Sequence, residues 1–226
     1  MEKLFNTVFP PKCIFCGWEG RSFCRICLNT CSLLTGGVCI VCQEKSIDGL
    51  THPSCSKGGA PSMLFSAFVY EGKVKECIRR SKYNSMEFDS LKDLSKRAVK
   101  YFWKIGFYFP EYIVVPIPLS RKQYRKRGFN QANIIAKELK KKFVLKQENS
   151  ILIRVKYTQA QSGYGKRKRR VNLKDAFSAS SKAQNKKIML VDDVCTTGTT
   201  LLEASKALYN AGAEDVKCFT IARALV

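Results

Sequence analysis

Short apolar runs recur along the chain from about residue 62 and predict its strands. The central runs are continuous and contain β-branched residues, as is typical of parallel strands that are covered on both faces. The runs are SMLFSAFVYEG (62–72), YIVVPIPL (112–119), SILIRVK (150–156), KKIMLVDDV (186–194) and VKCFTIARAL (216–225). Pro116 and Pro118 must end the pairing of the second run, because proline has no N–H group to donate.

Apolar residues at helical spacing separate these strands. Asp89 and Ser90 offer N-caps for a helix that places Leu94 and Phe102 on one face, and Gly212 is positioned to stop the last helix. The helical segments are VKECIRRSKYN (74–84), 91–105, NQANIIAKELKKKF (130–143) and TTLLEASKALYNAG (199–212). Alternating strands and helices predict an α/β fold with a doubly wound parallel sheet flanked by helices. Ligands of such sheets bind beyond the carboxyl ends of the strands.

The first 60 residues have no such periodicity and instead contain four pairs of potential metal ligands. The pairs are Cys13 and Cys16, Cys24 and Cys27, Cys39 and Cys42, and His52 and Cys55. A C-x-x-C turn presents two thiolates to one ion, so four pairs predict two zinc ions in tetrahedral sites. We expect sequential pairing, with the first two pairs on one ion and the last two on the other, while a cross-braced pairing stays open. The prediction is a zinc module over residues 1–60 and an α/β domain over residues 61–226.

The remaining features of the front module decide its role. His52 is the only histidine, and it stands where the fourth pair needs its first ligand. Sites with four protein ligands leave no position for water or substrate, so both zinc ions are expected to be structural. The other cysteines are interpreted as small buried hydrophobic residues; they are Cys31, Cys77, Cys195 and Cys218.

Composition and charge indicate which classes of partner the protein could bind. The chain has 226 residues and is 45% hydrophobic, which is enough for a core, but 40 Lys and Arg against 18 Asp and Glu give a formal charge of +22. Such a balance favours polyanions such as nucleic acid or phosphorylated ligands. No apolar run is long enough to insert in a membrane and the N-terminus lacks a signal-peptide core, so we expect a cytoplasmic protein. In that compartment thiols stay reduced, which favours metal binding over disulfides.

The segment KIMLVDDVCTTGTTL (187–201) carries the clearest chemistry. Two adjacent carboxylates, Asp192 and Asp193, end an apolar strand, and a loop rich in hydroxyl groups opens the next helix. Backbone N–H groups at a helix N-terminus favour an anion, and carboxylates accept hydrogen bonds from sugar hydroxyls. A ribose 5-phosphate fits both halves, with its hydroxyls on the acidic pair and its phosphate on the loop. The residues of this loop are Thr196, Thr197, Gly198, Thr199 and Thr200.

The same segment resembles the phosphoribosyl pyrophosphate (PRPP) motif of type I phosphoribosyltransferases. Two further segments, VPIPLSRKQYRKRGFNQA (115–132) and YTQAQSGYGKRKRRVNLKDAF (157–177), resemble the ComF family of competence proteins. The resemblance implies a type I phosphoribosyltransferase-like parallel sheet with an N-terminal zinc-ribbon-like module, and PRPP bound with Mg²⁺. It implies a pyrophosphate-binding turn at Leu119, Ser120 and Arg121. It also implies a mobile loop over residues 157–172, where Thr158, Gln161, Arg169 and Asn172 match the family pattern. His52 departs from the family, which has a cysteine there.

Family resemblance further implies a role in natural transformation, in which the protein handles incoming single-stranded DNA beside the uptake helicase and channel. Two basic clusters support nucleic-acid binding, and aromatic residues that could stack on bases flank them. The cations are Arg125, Lys126, Arg127, Lys166, Arg167, Lys168, Arg169 and Arg170, and the aromatic residues are Tyr124, Phe129, Tyr157 and Tyr164. Two alternatives stay open: an active phosphoribosyltransferase on an unidentified base, and a PRPP-sensing regulator.

Overall fold

A five-stranded parallel sheet forms the centre of the structure, a computed structural model that describes residues 10–82, 87–155 and 173–225. Its strand order is β3-β9-β8-β4-β5, and each neighbouring pair is parallel. Two separate two-stranded antiparallel sheets pair β1 with β2 and β6 with β7. The strands are β1 Gly37–Val38, β2 Lys45–Ser46, β3 Met63–Val69, β4 Tyr112–Pro116, β5 Lys146–Gln147, β6 Leu152–Arg154, β7 Phe177–Ala179, β8 Lys187–Cys195 and β9 Asp215–Arg223.

The predicted strands are confirmed with one correction. The run at 150–156 does form a strand, β6, but it lies in the antiparallel hairpin with β7 and not in the main sheet. Ile153 in this strand is 53% exposed while Leu152 is buried, so β6 has a single apolar face and does not suit a sheet covered on both sides. The fifth parallel strand is instead the polar dipeptide Lys146–Gln147.

The helices match the predicted segments except at three places, one of which is the short helix Arg25–Asn29 in the front segment, where none was predicted. The long helix begins at Phe88, with Glu87 at the N-cap, so Asp89 and Ser90 lie in its first turn and do not cap it. Ser90 donates its hydroxyl hydrogen bond back to the Glu87 carbonyl at 2.7 Å. The basic segment 121–127, for which no helix was predicted, forms α4. The helices are α1 Arg25–Asn29, α2 Gly72–Ser81, α3 Phe88–Lys104, α4 Arg121–Arg127, α5 Gln131–Phe143 and α6 Thr199–Asn210.

The sheet has a buried core on each face. Along β8 the side chains alternate: Met189 and Val191 belong to the core that α2, α3 and α5 cover, whereas Ile188 and Leu190 belong to the core that α6 and the β6–β7 hairpin cover. This alternation is the two-residue period of a strand. Within the described part of the chain, no helix is both long and apolar enough to cross a bilayer.

The front segment covers the outer edge of β3. Leu34 donates its backbone N–H to Ala67 at 3.0 Å, and Val69 donates to Ser32 at 3.0 Å. At the other end of the strand, Thr51 donates to Ser62 at 2.9 Å. An edge strand with unpaired backbone groups invites association with other chains, so this cover satisfies groups that β3 would otherwise expose.

Candidate phosphosugar site and metal clusters

The acidic pair lies where the sheet connections diverge. The chain leaves β4 for β5 on one side and leaves β8 for β9 on the other, so a crevice opens between the carboxyl ends of β4 and β8. Pairing between these two strands ends at Pro116 and Val191, directly before Asp192. On its other side β8 stays paired with β9 as far as Cys195, so both aspartates belong to the strand, as the predicted run at 186–194 implies.

Two cations that sequence reasoning missed flank the acidic pair. Lys82, which follows α2, places its Nζ atom 2.7 Å from Asp193 Oδ2. Arg154, from the β6 strand, lies close enough to Asp192 to affect its charge. No spacing in the sequence links either residue to the acidic pair, because each comes from a different element and reaches it only through the fold. Both residues also border segments outside the described residues.

The two carboxylates differ in their electrostatics. Burial, and then the like charge of Asp193, raise the pKa of Asp192 to about 7, against the opposing effect of the Asp193 N–H and of Lys82 and Arg154. The Asp193 N–H donates to Asp192 Oδ1 at 2.8 Å and holds that carboxyl in place. Asp193 instead has a full ion pair with Lys82. Asp192 can therefore offer a fixed hydrogen-bond acceptor whose charge depends on pH. Asp193 offers an acceptor whose charge is balanced by Lys82.

The loop after the acidic pair leaves helix N–H groups open. Gly198 is the N-cap of α6 with φ 75°, a left-handed conformation that favours glycine, and no side chain caps this helix. In contrast, α4 and α5 are capped by the side chains of Ser120 and Asn130. Thr197 and Thr199 lie with their hydroxyl oxygens 2.9 Å apart, and either can turn a donor to an anion. These are the features of an anion-binding helix start.

The predicted pyrophosphate turn lies at the same edge of the sheet. It follows β4, and the Ser120 hydroxyl begins α4 by accepting from Gln123 N at 3.3 Å while Gln123 Oε1 accepts from Ser120 N. Leu119 is partly buried and Arg121 is exposed. The Ser120 hydroxyl is therefore already used as a helix cap, and the role of this turn toward pyrophosphate stays a prediction.

The first basic cluster lies on α4. Arg125 and Lys126 are exposed, and Arg127 donates to Gln131 Oε1 at 3.3 Å. Tyr124 is 54% exposed and could stack on a base. The second cluster, Lys166 to Arg170, lies outside the described residues together with Tyr157, Tyr164 and the predicted mobile loop at 157–172.

One of the flanking aromatic residues also has a structural role. Phe129 is partly buried and packs edge-on against Phe88, with the ring centroids 5.5 Å apart. It therefore anchors the turn between α4 and α5, and stacking of a base on this ring stays a prediction.

The eight potential metal ligands form two compact groups with the membership that sequential pairing predicts. In each group the ligand atoms all lie within 4.8 Å of one another. The groups, named here cluster I and cluster II, are Cys13, Cys16, Cys24 and Cys27, and Cys39, Cys42, His52 and Cys55. A tetrahedral ion with Zn–S bonds of about 2.3 Å needs ligand separations of about 3.8 Å. The Cys16 and Cys24 sulfurs lie 3.6 Å apart, which fits such an ion.

In each cluster the pKa of the first cysteine is lowered, whereas those of Cys16, Cys27 and Cys42 are raised, because burial and the neighbouring sulfurs oppose further thiolates. Burial tends to raise the pKa of Cys13, but backbone N–H groups of Cys24, Phe15 and Cys16 outweigh it and lower that pKa to about 6. Burial also tends to raise the pKa of Cys39, but the backbone N–H groups of Cys42, His52 and Val41 outweigh this effect and lower that pKa to about 7.

The imidazole of cluster II is oriented as a ligand. His52 Nε2 lies 3.0 Å from the Lys45 carbonyl, which can only accept, so Nε2 carries the proton. Nδ1 then faces Cys42 Sγ at 3.2 Å with its lone pair available. A ligating histidine is commonly held in this way by its other nitrogen. The residues present therefore fit two metal ions, and their identity as zinc stays a prediction.

The four remaining cysteines are in surroundings that favour the neutral thiol over the thiolate. Burial raises the pKa of Cys77 to about 12 and that of Cys195 to about 11, and it raises those of Cys218 and Cys31 as well. All but Cys31, which is half-buried, lie in the core. This agrees with their interpretation as small hydrophobic residues.

Comparison with known proteins shows which proteins the α/β domain is similar to. Residues 125–225 match the family model of the phosphoribosyl transferase domain. Competence protein F of Haemophilus influenzae is 41% identical over 114 residues, which are 49% of this chain and 50% of that protein. The chain thus spans about half the length of this relative. Competence protein ComFC of Bacillus subtilis is 27% identical over 210 residues, or 88% of this chain and 83% of that protein.

Among solved structures, glutamine PRPP amidotransferase from B. subtilis, complexed with ADP and GMP, shares 18% identity at a TM-score of 0.41, over 59% of this chain and 26% of that chain. The domain match and the parallel sheet confirm the predicted phosphoribosyltransferase-like fold.

Proposed function

From the premise that the chain is a relative of the ComF competence proteins, we propose that it handles incoming single-stranded DNA in natural transformation and binds PRPP with Mg²⁺. The relatives named Competence protein F and ComFC support the cellular role. We place this work in the cytoplasm, beside the uptake helicase and channel. The main support for PRPP as the ligand is that Asp192 and Asp193 lie beside the uncapped start of α6, at one crevice of the sheet.

The acidic pair suits the sugar and the loop suits the phosphate. A carboxylate beside a phosphate would repel it, but a carboxylate facing ribose hydroxyls accepts their hydrogen bonds. The 5-phosphate would then lie at Gly198 to Thr200, where the helix N–H groups and threonine hydroxyls can donate. Mg²⁺ binds through one or two carboxylates together with substrate phosphates, so this donor set also fits PRPP with its metal.

Calorimetry of the metal-replete protein with PRPP, with and without Mg²⁺, tests the ligand. We expect binding that is lost in Asp192→Asn, which is nearly isosteric and removes the charged acceptor. Ribose 5-phosphate should bind more weakly, and pyrophosphate alone should not reproduce the binding of PRPP. An absence of heat for wild-type protein under both conditions would reject PRPP as the ligand. Release of pyrophosphate from PRPP in the presence of candidate bases, on the same material, would instead favour an active transferase.

Support for single-stranded DNA comes from α4 and the overall charge. Arg125 and Lys126 are exposed beside the half-exposed ring of Tyr124, and the chain carries a formal charge of +22. Cations that follow a backbone, with an aromatic ring for stacking, suit single strands. Removing two cations that contact phosphates should make the slope of log affinity against log salt shallower by about one to two.

Fluorescence anisotropy with a labelled oligothymidylate tests this surface. Arg125→Ala with Lys126→Ala should weaken binding and flatten the salt dependence, and Tyr124→Ala should weaken it at all salt concentrations. The matched control is Lys140→Ala with Lys141→Ala, which removes the same charge from exposed positions on α5. Equal losses in both double variants would show that only net charge matters and that α4 is not a binding surface.

A further inference from the structure

The C-x-x-C turn of cluster II lies directly beneath the loop at residues 196–200, named here the phosphate loop. A Cβ atom added to Gly198 would lie 2.9 Å from Ile40 Cγ1 and 3.1 Å from the Ile40 carbonyl oxygen. Ile40, which stands between the two cysteines of this turn, is completely buried. Beside it, Gln43 Nε2 donates to the Thr197 carbonyl at 3.5 Å. Residues 39–43 thus form the floor on which the loop rests.

A buried arginine fixes this floor to the sheet. Arg223, the last residue of β9, is 3% exposed and pairs in register with Cys195, immediately before the loop. Its guanidinium donates to the Val38 carbonyl at 2.8 Å and to the Cys39 carbonyl at 3.1 Å. A guanidinium with two fixed acceptors holds both in one plane, so the turn and the start of the loop share one support.

Cluster I is placed differently. Its buried members, Cys13, Cys24 and Cys27, belong to the core on the face of the sheet that α2, α3 and α5 cover. Ile40 belongs to the opposite core, together with Leu201 of α6. Cluster II is also the more open of the two, because Cys39 is buried while Cys42 is exposed and the other two ligands are partly exposed. A metal ion at cluster II should therefore exchange more readily than one at cluster I.

We propose that metal bound at cluster II holds the phosphate loop in its binding conformation, so that occupancy of cluster II sets the affinity for a ribose phosphate. A turn of this kind has no core of its own, and its ligand bonds supply its folding energy. Without them Ile40 loses its fixed position, and the loop at 196–200 loses its floor. This inference rests on the proposed binding of PRPP for its consequence, but the ordering of the loop can be measured without any ligand.

Hydrogen exchange by mass spectrometry on the full chain without ligand tests the ordering. Cys42→Ser and Cys16→Ser form a matched pair, because each removes the exposed second cysteine of its C-x-x-C turn. We expect the hydrogen-bonded amides of the first turns of α6, residues 202–206, which depend on the position of Gly198, to exchange at least about fivefold faster in Cys42→Ser and to be unchanged in Cys16→Ser. Equal protection of these amides in both variants would overturn the proposal.

A second variant keeps the test valid if Cys42→Ser does not fold. Ile40→Ala retains all four ligands and removes the side chain that lies against Gly198, so it should keep its full metal content and still lose protection at 202–206. Full metal content with unchanged protection at 202–206 would reject the role of this floor.

PRPP binding gives the functional readout. Calorimetry should show PRPP binding about tenfold weaker in Cys42→Ser and unchanged in Cys16→Ser. Partial chelation of the wild-type protein should weaken its binding of PRPP, and reloading that protein with Zn²⁺ should restore it. Failure of the wild type to bind PRPP rejects the proposed function and leaves the exchange result to decide the inference. Binding by the wild type and both variants alike rejects the inference alone.

Discussion

Lys82 Nζ lies 2.7 Å from Asp193 Oδ2 and so ties the segment after α2 to the acidic pair in β8. Both side chains are largely buried, with exposures of 24% and 12%. Among the described residues Asp192, the neighbour of Asp193, has no such ion pair, and its pKa is raised by burial and by the charge of Asp193. The two adjacent carboxylates are therefore electrostatically unlike, and the corresponding amide substitutions should have opposite effects on stability.

Asp193→Asn should destabilise the protein by about 1 to 3 kcal/mol, because it leaves the buried Lys82 ammonium without its counter-charge. Urea denaturation measures the change. Adding Lys82→Met should recover part of the loss, which a double-mutant cycle would report as a coupling energy. The control is Glu76→Gln, which breaks the exposed pair with Arg79 and should have no measurable effect. Additive losses for Lys82→Met and Asp193→Asn would contradict a coupled pair.

Asp192→Asn should instead stabilise the ligand-free protein at neutral pH while abolishing PRPP binding. In the unfolded chain this carboxyl ionises near pH 3.9, whereas in the folded protein its pKa is raised to about 7. Below the lower value both states hold the proton. As pH rises from about 4 to about 7 only the unfolded state releases it, so the stability due to this group is lost over that interval and stays lost above it.

The difference in unfolding free energy between Asp192→Asn and wild type, measured by urea denaturation, checks this, since other titrations cancel in the difference. It should be small at pH 4, grow to pH 7 and then level off, at about 1 to 3 kcal/mol in favour of the variant. A difference that is constant with pH would show that Asp192 ionises normally. A binding site that costs stability when empty is a common compromise between stability and function.

Local sequence patterns predicted the parts of the site that are continuous in the chain. The strand, the acidic pair and the loop at 187–201 form one such segment, and each C-x-x-C pair forms another. Those patterns could not reveal Lys82 or Arg154, because the fold alone brings them to Asp193 and Asp192. The same is true of Ile40, whose contact with Gly198 spans the two predicted domains.

Errors in the predicted fold have a similar origin. The strand Lys146–Gln147 is short and polar, so nothing in its composition distinguishes it from a loop; its place is set by pairing with β4. Conversely, the apolar run at 150–156 met the criteria for a parallel strand, yet its hydrophobic side chains suit a hairpin with one buried face. Intrinsic strand preference is weak enough for tertiary contacts to decide both cases.

Cys13→Ser should remove one metal equivalent and lower the melting temperature. Cys13 is 3% exposed and accepts the Cys24 N–H at 3.4 Å, so the loss affects both the metal site and the core around it. Elemental analysis and thermal melting measure the two effects. Cys31→Ser is the control, since this half-buried cysteine lies outside both clusters and its loss should leave the metal count unchanged. A full metal count in Cys13→Ser would remove that cysteine from cluster I.

Gly198→Ala tests the close contact between the phosphate loop and cluster II. Its φ of 75° disfavours any side chain, and an added Cβ would lie 2.9 Å from Ile40 Cγ1, so either the loop or the turn must move. We expect a loss of about 1 to 3 kcal/mol in unfolding free energy together with loss of PRPP binding. Gly106→Ala separates the two causes, because Gly106 has a similar φ of 85° but open space around it. The control should show only the backbone cost, of about 1 kcal/mol, and should bind PRPP normally. If the two variants lose the same stability and both keep PRPP binding, the contact between Ile40 and the loop has no functional weight.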